Sequence, residues 1–360
     1  MVMPEFGLAG AERMCETLVL GLKKSQNYEV IVASLYNFHS SITDELEKNG
    51  VKLYYIGKGN GVDFRVIKRL ATIMKMEKID IVHTHRYVMQ YAIPAAVLTN
   101  VKIRIHTIHN VADKEVDSFR QKLACFFYKY CSVIPVSISP IVQSTVIKRY
   151  SLEPNQTPVI FNGVDLSKCM PKMTYHNNGI FQFVHIGRFC TQKNHASILG
   201  AAAKLKREGY QFEILLIGGA GNEEKRQNEA REMELDRIIK FCGIQSNIYP
   251  YLNKADCFIL PSFYEGMPVT LVEAMGTGLP IIASRVGGIP DMIKDKYSGL
   301  LIEPNSNDLA NAMKLMMDNK ELRVCLGMNA LKDSERFSSI QMTEGYSKLY
   351  EKAYGKKSKN

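Results

Sequence analysis

The chain has 360 residues, of which 46% are hydrophobic and 23% are charged, and its formal net charge is +10. These values are typical of a soluble globular protein and exclude a disordered or fibrous chain. The apolar runs are shorter than the ~20 residues that a membrane-spanning helix needs, and no signal-peptide pattern begins the sequence. The eight cysteines are scattered without a Cys-x-x-Cys pair, so we expect reduced thiols in a cytoplasmic protein.

The positive charge is distributed evenly along the chain. Residues 1–165 carry 20 Lys and Arg against 15 Asp and Glu, and the remaining residues carry 26 against 21. Neither half has the concentrated basic patch of a nucleic-acid-binding domain, so no nucleic-acid partner is predicted. A mildly basic protein favours anionic substrates or a peripheral contact with an anionic membrane surface.

Short β-rich runs alternate with helix-period stretches through the whole sequence. Strands are predicted at 29–34, 51–56, 79–84, 103–108, 133–136, 159–161, 182–186, 213–217, 257–260, 281–283 and 300–302. Helices between the early strands are predicted at 11–24, 63–77 and 117–130. This alternation predicts an α/β protein whose parallel sheets carry helices on both faces.

The pattern falls into two blocks, which predicts two doubly wound domains that face each other across a cleft. The segment 166–179 is polar, contains proline and glycine, and lacks periodicity, so it is predicted to be a linker. The domains would then be 1–165 and 180–337, followed by a final helix and a basic tail within 338–360. A cleft between strand ends is the usual place for a ligand.

The most informative segment is 261–274, which follows the apolar run 257–260. Gly266 lets the backbone approach a ligand closely, and Pro268 suits the first turn of a helix. The free amides at the helix start would then favour phosphate binding, and they belong to Val269, Thr270 and Leu271. Glu265 and Glu273 bracket these amides, as a molecule with a sugar on each side of a diphosphate requires. The alternative is a plain surface loop before an amphipathic helix.

Three further loops have the composition of phosphate sites. Gly10 lies in a glycine-bearing turn that opens a helix, although the turn lacks the full Gly-x-Gly-x-x-Gly spacing. Arg188 and Lys193 follow the strand 182–186, where two cations could neutralise a diphosphate. Gly219 ends another strand, where glycine again allows a ligand near the backbone. Ordinary surface charge is the alternative for the two cations.

Four histidines cluster in the first domain: His83, His85, His106 and His109. We expect His83 and His85 to face opposite sides of the sheet. His109 falls where a strand becomes a loop, on the ligand side of such a sheet, which favours a role in the site over a structural one. No tight set of His, Cys and carboxylate ligands is visible, so no metal and no other cofactor are predicted.

The helix predicted at 117–130 is both basic and aromatic. Such a helix could lie on a membrane surface, or it could pack its aromatic residues into the core. The core is the favoured interpretation.

These features together resemble the retaining glycosyltransferases of family 4, which have the GT-B fold. The resemblance spans nearly the whole chain. Its marks are Gly10-Ala11-Glu12-Arg13, Val82-His83-Thr84-His85, His109, Asn162-Gly163-Val164-Asp165, Gly187-Arg188 with Lys193, Pro261-Ser262, Glu265-Gly266 and Glu273-Ala274-Met275. It implies an acceptor-binding N-terminal domain, a nucleotide-sugar-binding C-terminal domain and a final helix that crosses back to the first domain.

The resemblance also implies roles for residues of the C-terminal domain. Arg188 and Lys193 would hold the diphosphate, and Glu273 would bind the ribose hydroxyls. Ile244 would meet the base. Glu265 would hold the transferred sugar, together with the backbone of Gly266, Met267, Pro268 and Val269.

In the first domain, Gly10 would approach the diphosphate and His109 would line the sugar pocket near the acceptor. Glu265 and His109 are therefore the predicted catalytic residues. The family's first strand is usually longer than the six or so residues that precede the glycine turn here.

The predicted reaction is the transfer of a hexosyl unit from a nucleotide-diphosphate sugar, with UDP favoured, to a hydroxyl acceptor such as a lipid-linked or growing surface polysaccharide. Retention by front-face displacement fits better than a double displacement, because no nucleophile–acid carboxylate couple is evident. Two alternatives remain open at this point: a nucleotide-sugar epimerase of the same fold and a non-catalytic nucleotide-sugar-binding subunit.

Overall fold

The computed structural model describes residues 1–7, 9–172, 174–175 and 179–357. The chain divides into two compact units. Unit 1 comprises Met1–Val164 with Ser338–Asn360, and unit 2 comprises Asp165–Phe337. Each unit contains one six-stranded sheet in which all strand pairs are parallel.

The strands follow the predicted alternation closely. They are β1 Val2–Met3, β2 Ile31–Ser34, β3 Lys52–Tyr55, β4 Ile81–His85, β5 Ile103–Ile108, β6 Val133–Ser137, β7 Phe181–Ile186, β8 Phe212–Ile217, β9 Ile239–Phe241, β10 Cys257–Leu260, β11 Ile281–Ser284 and β12 Leu300–Ile302.

The α-helices occupy the connections between these strands. They are α1 Gly10–Lys24, α2 Ser41–Lys48, α3 Arg65–Met76, α4 Met89–Leu98, α5 Ala112–Glu115, α6 Ser118–Tyr130, α7 Pro140–Tyr150, α8 His195–Arg207, α9 Glu223–Glu232, α10 Tyr249–Lys254, α11 Val269–Gly276, α12 Ile289–Met292, α13 Ser306–Asp318, α14 Lys320–Ser334 and α15 Ser339–Lys357.

The sheet of unit 1 has the strand order β3-β2-β1-β4-β5-β6. Helices α3 and α4 pack their apolar side chains on one face, and α1, α2 and α15 pack on the other. Strands β2 and β5 are almost fully buried, because both faces of a doubly wound sheet are covered. The chain order reverses between β1 and β4, so the loops after these two strands lie side by side.

The sheet of unit 2 has the order β12-β11-β10-β7-β8-β9, which repeats the same topology. A core cluster in this unit joins β7, β8 and α8 with α13. The chain order reverses between β7 and β10. In open α/β sheets, ligands bind at such a reversal, beyond the carboxyl ends of the strands.

Three strand predictions need correction. The predicted strand 159–161 is only an isolated bridge between Ser137 and Val159, so the sheet of unit 1 ends at β6. Strand β9 was missed, and β1 was expected only from the resemblance, as a short first strand, because two or three residues are too few to show a period. The short β1 still occupies the centre of its sheet, where it pairs with β2 and β4.

The predicted linker 166–179 is not a free connection where the structure describes it. The Lys172 amide donates to the Thr277 carbonyl at 3.0 Å, and the Tyr175 hydroxyl donates to the Gly278 carbonyl at 2.7 Å. These bonds attach the segment to unit 2, and residues 173 and 176–178 lie outside the described residues. The final helix α15 belongs to unit 1, where Tyr346 and Tyr350 are buried against α1 and β5. The tail 358–360 also lies outside the described residues.

Candidate functional site

The loops that follow β7 and β10 meet at the strand-order reversal of unit 2. The Phe263 amide donates to the Gln192 carbonyl at 2.9 Å, and the Gln192 side-chain amide donates to the Tyr264 carbonyl at 2.9 Å. The Asn194 side-chain amide donates to the carbonyls of Pro261 and Pro304, both at 3.0 Å. These bonds fix one loop against the other, so the charged residues on them are held in place.

Lys193 and Glu265 form an ion pair at the centre of this arrangement. Lys193 Nζ lies 2.6 Å from Glu265 Oε1, and only 15% and 6% of the two side chains are exposed. Glu265 Oε2 also accepts a 3.3 Å hydrogen bond from Gln192 Nε2. Sequence reasoning gave the two residues separate partners, a diphosphate and a sugar. The fold instead pairs the two side chains with each other, because β7 and β10 are neighbouring strands.

The helix beyond Glu265 begins directly after Pro268. Pro268 is the N-cap with φ −69° and ψ 116°, and α11 starts at Val269. The Leu271 amide donates to the Pro268 carbonyl at 3.1 Å, so it is not available to a ligand. Pro268 has no N–H, and the first helical amides without an intrahelical acceptor are those of Val269 and Thr270.

The side chains of Met267 and Leu271 are buried in the core, with 4% and 0% exposure. Their contribution to a ligand site can therefore come only from the backbone. Gly266 is also buried, whereas Glu273 is half-buried one turn into α11. The Glu273 carbonyl accepts from the Thr277 amide at 3.1 Å, which keeps this turn of the helix regular.

Glycines allow the backbone at this edge to pack closely. Gly218 has φ +145°, and a Cβ there would lie 2.1 Å from the Gly187 carbonyl oxygen. A Cβ on Gly219 would lie 2.7 Å from Ile244 Cγ1, which places the Ile244 side chain beside the end of β8. Gly219 and Ile244 were predicted as separate contacts of a ligand, and the structure brings them together.

Gly287 is a supporting residue that sequence reasoning missed. It has φ +52°, and a Cβ there would lie 1.8 Å from the Glu265 carbonyl oxygen. That carbonyl accepts a 3.2 Å hydrogen bond from the Gly288 amide. The Gly287-Gly288 pair after β11 is the only signal of this role in the sequence.

Arg188 and Ile244 differ from the buried ion pair because their side chains are exposed. Arg188 directly follows Gly187, and within the described residues its guanidinium forms no ion pair. Ile244 is 63% exposed. Both side chains are therefore accessible to a ligand at the carboxyl edge of the sheet.

In unit 1, the loops after β1 and β4 meet in the same way. Gly10 is exposed and is the first residue of α1, with Ala9 as the N-cap. Arg86 Nη1 donates to Glu12 Oε1 at 2.6 Å, although Glu12 is only 2% exposed. Arg86 has φ +58°, a left-handed conformation that a non-glycine residue adopts at some cost.

The prediction that His83 and His85 face opposite sides of the sheet is wrong. Their rings stack with centroids 4.4 Å apart, because residues two apart in a strand point to the same face. His85 Nδ1 lies 3.1 Å from His109 Nε2, and His83 contacts the Tyr350 hydroxyl at 2.7 Å. His109 is thus joined through a buried polar row to the final helix.

His106 stands apart from this row. Its Nδ1 lies 2.9 Å from Thr84 Oγ1, on the opposite face of the sheet from His83 and His85. Burial lowers the pKa of His106 to about 4 and that of His109 to about 3. Both rings are therefore neutral at physiological pH.

Glu115 is a second residue that sequence reasoning missed. Its Oε2 accepts a 3.1 Å hydrogen bond from the His109 amide. Burial raises the pKa of Glu115 to about 7, so its carboxyl group exchanges a proton near neutrality. Glu115 lines a narrow cleft of about 20 Å³ in unit 1, whose walls include Arg86, His106, Arg120, Phe127 and Tyr128.

Two kinds of feature are absent from the described ranges of the chain. No group of three or more His, Cys, Asp and Glu residues there could hold a metal ion. None of the described helices combines the length and the apolar character that crossing a bilayer requires.

Two family profiles match this chain, one for each half. Residues 8–168 match glycosyltransferase family 4, and residues 172–333 match the group 1 glycosyl transferases. An Escherichia coli UDP-Gal:alpha-D-GlcNAc-diphosphoundecaprenol alpha-1,3-galactosyltransferase is 30% identical over 73% of this chain and 72% of its own. A Campylobacter jejuni N,N'-diacetylbacillosaminyl-diphospho-undecaprenol alpha-1,3-N-acetylgalactosaminyltransferase is 24% identical over 86% of this chain and 88% of its own.

Solved structures share the whole fold. The Anabaena protein Alr3699/HepE, crystallised with UDP and glucose, superposes with a TM-score of 0.84 at 17% identity, covering 97% of this chain and 98% of its own. The two six-stranded sheets are therefore those of a GT-B glycosyltransferase.

Proposed function

We propose that this chain, which belongs to glycosyltransferase family 4, moves a hexosyl unit from a UDP-sugar to a hydroxyl group of a lipid-linked or growing surface glycan, with retention of anomeric configuration. The observation that carries this proposal is the carboxyl edge of unit 2. There the Lys193–Glu265 pair, the exposed Arg188 and the start of α11 adjoin one strand-order reversal.

The charges at this edge suit a diphosphate. Arg188 supplies an exposed guanidinium, and the amides of Val269 and Thr270 point out of a helix N-terminus. Lys193 can bridge Glu265 and a phosphate oxygen, since an ammonium group donates three hydrogen bonds. These groups would neutralise the leaving nucleoside diphosphate without a bound metal, and losing one such donor costs on the order of 10²–10³ in rate.

The two carboxylates would hold the sugars on either side of that diphosphate. Glu273 is half-buried one turn into α11, where its side chain would accept from the ribose hydroxyls. Glu265 would accept from hydroxyls of the transferred hexose. In front-face displacement, the bond from the anomeric carbon to the phosphate oxygen breaks while the acceptor oxygen bonds to the same face. The acceptor proton passes to the departing phosphate, and therefore no protein carboxylate has to become a nucleophile.

The donor base and the acceptor class rest on the relatives. The E. coli relative uses UDP-Gal by its name, and the acceptors named for it and for the C. jejuni relative are sugars on diphosphoundecaprenol. Unit 1 would bind the acceptor, with His109 beside it as a neutral ring. A neutral histidine can accept or donate a hydrogen bond without adding positive charge.

The first test is a donor screen with the full chain against UDP-, GDP-, ADP- and TDP-sugars, with nucleotide release and thermal shift as readouts. We expect one nucleotide to stabilise the protein and Arg188→Ala to weaken that effect at least tenfold, because a charge-assisted contact to phosphate is lost. Arg237→Ala is the matched control, since Arg237 is also exposed but precedes β9, at the opposite edge of the sheet.

The product must then be identified with a prenyl-diphosphate-sugar acceptor, and its anomeric configuration measured by NMR coupling constants. An inverted product would refute the retaining mechanism. Donor binding without any glycosyl product would instead identify a nucleotide-sugar-binding subunit, and no stabilisation by any nucleotide would refute the donor site.

A further inference from the structure

Helix α6 divides its aromatic residues between two environments. Phe127 and Tyr128 are buried, with 5% and 8% exposure. Phe119, Phe126 and Tyr130 are instead 71%, 50% and 74% exposed. Sequence reasoning favoured the core for Phe126, Phe127 and Tyr130, and the structure instead exposes Phe126 and Tyr130.

The exposed residues lie in a stripe along one side of the helix. Positions 119, 126 and 130 are separated by seven and four residues, a spacing that places them on the same side of an α-helix. The rings of Phe126 and Tyr130 touch, with centroids 5.3 Å apart. Single exposed apolar residues need no explanation, but a row of aromatic rings on one helix face indicates an interaction surface.

The charged residues within α6 itself are all positive. Lys122 and Lys129 follow Phe119 and Phe126 by three residues, and both lysines are exposed. The helix contains no Asp or Glu. Arg120 is paired with Asp117, which also caps the helix through the Arg120 amide. Within the described ranges neither lysine has an ion-pair partner, so both remain available to an anionic surface.

We propose that the exposed stripe of α6, formed by Phe119, Phe126 and Tyr130, docks unit 1 onto an anionic lipid surface. The aromatic rings would enter the boundary between headgroups and acyl chains, where amphipathic aromatic side chains are favoured. Lys122 and Lys129 would contact the lipid phosphates from the edge of the stripe. The binding is peripheral and reversible, because one short amphipathic helix buries little apolar area.

A second copy of this chain is the less favourable occupant. A two-fold pairing through the same face would bring Lys122 and Lys129 close to the lysines of the other copy. No acidic residue of α6 would offset that repulsion. A sheet of anionic headgroups supplies the opposite charge at every lysine.

The inner face of α6 connects this surface to the cleft of unit 1. Leu123, Ala124 and Phe127 form part of the wall that also contains Glu115 and Arg86. Lipid docking would therefore place this cleft next to the membrane, where a lipid-linked acceptor resides. This last step rests on the proposed function, whereas the docking itself does not.

The test is sedimentation of the full chain with vesicles of phosphatidylcholine alone or mixed equally with phosphatidylglycerol. We expect binding only to the mixed vesicles, with weakening at high salt because the headgroup charges are screened. Replacing Phe119, Phe126 and Tyr130 together by Ser should weaken binding on the order of tenfold or more, because the apolar contact is lost. The double variant Lys122→Gln/Lys129→Gln should lose the preference for anionic vesicles.

The matched control is Met328→Ser. Met328 is 60% exposed on α14 of unit 2, and we expect its substitution to leave vesicle binding unchanged. Every variant should keep the wild-type melting temperature and nucleotide binding, which separates a docking failure from a failure of the proposed donor site.

Three results would overturn the proposal. The first is no sedimentation of the wild-type chain with either vesicle, and the second is equal sedimentation of the wild type and the triple Ser variant. The third is a concentration-dependent dimer that the triple Ser variant abolishes, with no lipid binding, since this would assign the stripe to a second copy.

Discussion

The two units share one topology, yet the carboxyl edges of their sheets have different chemistry. In unit 2, a buried ion pair and helix amides dominate, and Lys193 Nζ lies 2.6 Å from Glu265 Oε1. In unit 1, a row of neutral histidines extends from the half-buried His109 through the buried His85 and His83 to the final helix. The same backbone arrangement thus holds a buried Lys–Glu pair in unit 2, and in unit 1 it holds a histidine row beside the Arg86–Glu12 ion pair.

The two edges differ because one buries an ion pair and the other buries neutral histidine rings. A buried charge is tolerated only when it is paired, and unit 2 satisfies this rule with one lysine and one glutamate. Buried histidines avoid the cost by remaining neutral, and desolvation holds their pKa values low. A diphosphate requires cations near it, whereas a sugar hydroxyl requires only neutral donors and acceptors.

The largest expected effect comes from breaking the ion pair of unit 2. Lys193→Met or Glu265→Gln should each destabilise the protein by about 3–5 kcal/mol, because the remaining charge stays buried without its partner. The double variant should recover part of this loss. The measurement is urea unfolding monitored by circular dichroism, alongside transferase activity, which all three variants should lose.

The control pair is Lys314–Glu208, which is similarly close at 3.1 Å but has side chains that are 46% and 35% exposed. Removing Lys314 should cost only ~0–1 kcal/mol. Equal losses at the two sites would show that the Lys193–Glu265 pair is not effectively buried in solution.

A smaller but more specific effect is expected at Gly287. Gly287→Ala would place a Cβ 1.8 Å from the Glu265 carbonyl oxygen at a residue with φ +52°, so the Glu265 loop must move. We expect activity to fall at least a hundredfold, because a displacement of ~1 Å is enough to cause such a loss. Stability should fall by about 1–3 kcal/mol.

Gly61→Ala separates backbone strain from displacement of the Glu265 loop. Gly61 has φ +67°, and a Cβ there would meet nothing within 4 Å. Its substitution should cost stability while leaving turnover unchanged. If Gly287→Ala also kept full turnover, the Glu265 loop would not need its present position.

The pH dependence of stability tests the protonation states of Glu115 and His109 in unit 1. In the folded protein the pKa of Glu115 is raised to about 7, whereas its unfolded value is 4.5. The stabilisation that the protonated carboxyl group gives the folded state is therefore complete below pH 4.5 and is lost as the pH rises to 7. The lowered pKa of His109, about 3, acts in the opposite direction, because the unfolded state takes up a proton first as the pH falls below 6.5. The two contributions partly cancel between pH 4.5 and 6.5.

Glu115→Gln should therefore steepen the rise in melting temperature with pH between 4.5 and 6.5. It should also remove the fall in melting temperature that the ionisation of Glu115 causes as the pH rises to 7. Calorimetric melting at closely spaced pH values measures both slopes. Identical profiles for the wild type and Glu115→Gln would show that Glu115 is solvated and ionised as in the unfolded chain.

The smallest stability change is expected at Arg188. Arg188→Ala should alter the unfolding free energy by no more than ~0.5 kcal/mol, because the side chain is exposed and forms no ion pair within the described residues. Its effect should appear in donor affinity and in the rate of transfer, because the proposed role of the guanidinium is to contact the diphosphate. A large loss of stability would instead assign Arg188 a structural role.

The sequence by itself determined the alternation of strands and helices and the two-sheet architecture. It also indicated the segment 261–274 as the centre of the site. These features are local, since apolar runs, glycine, proline and helix-start signals act over a few residues. Errors at this level concerned very short strands, the strand predicted at 159–161, the facing of His83 and His85, and the predicted burial of Phe126 and Tyr130.

Only the tertiary structure decided which side chains meet. Lys193 and Glu265 are 72 residues apart, and they pair because β10 lies beside β7 rather than at the end of the sheet. Gly287 supports Glu265 because β11 lies beside β10. Packing against the sheet likewise decides which face of α6 is buried. Strand order and packing are global properties, so no pattern within one segment of the chain contains them.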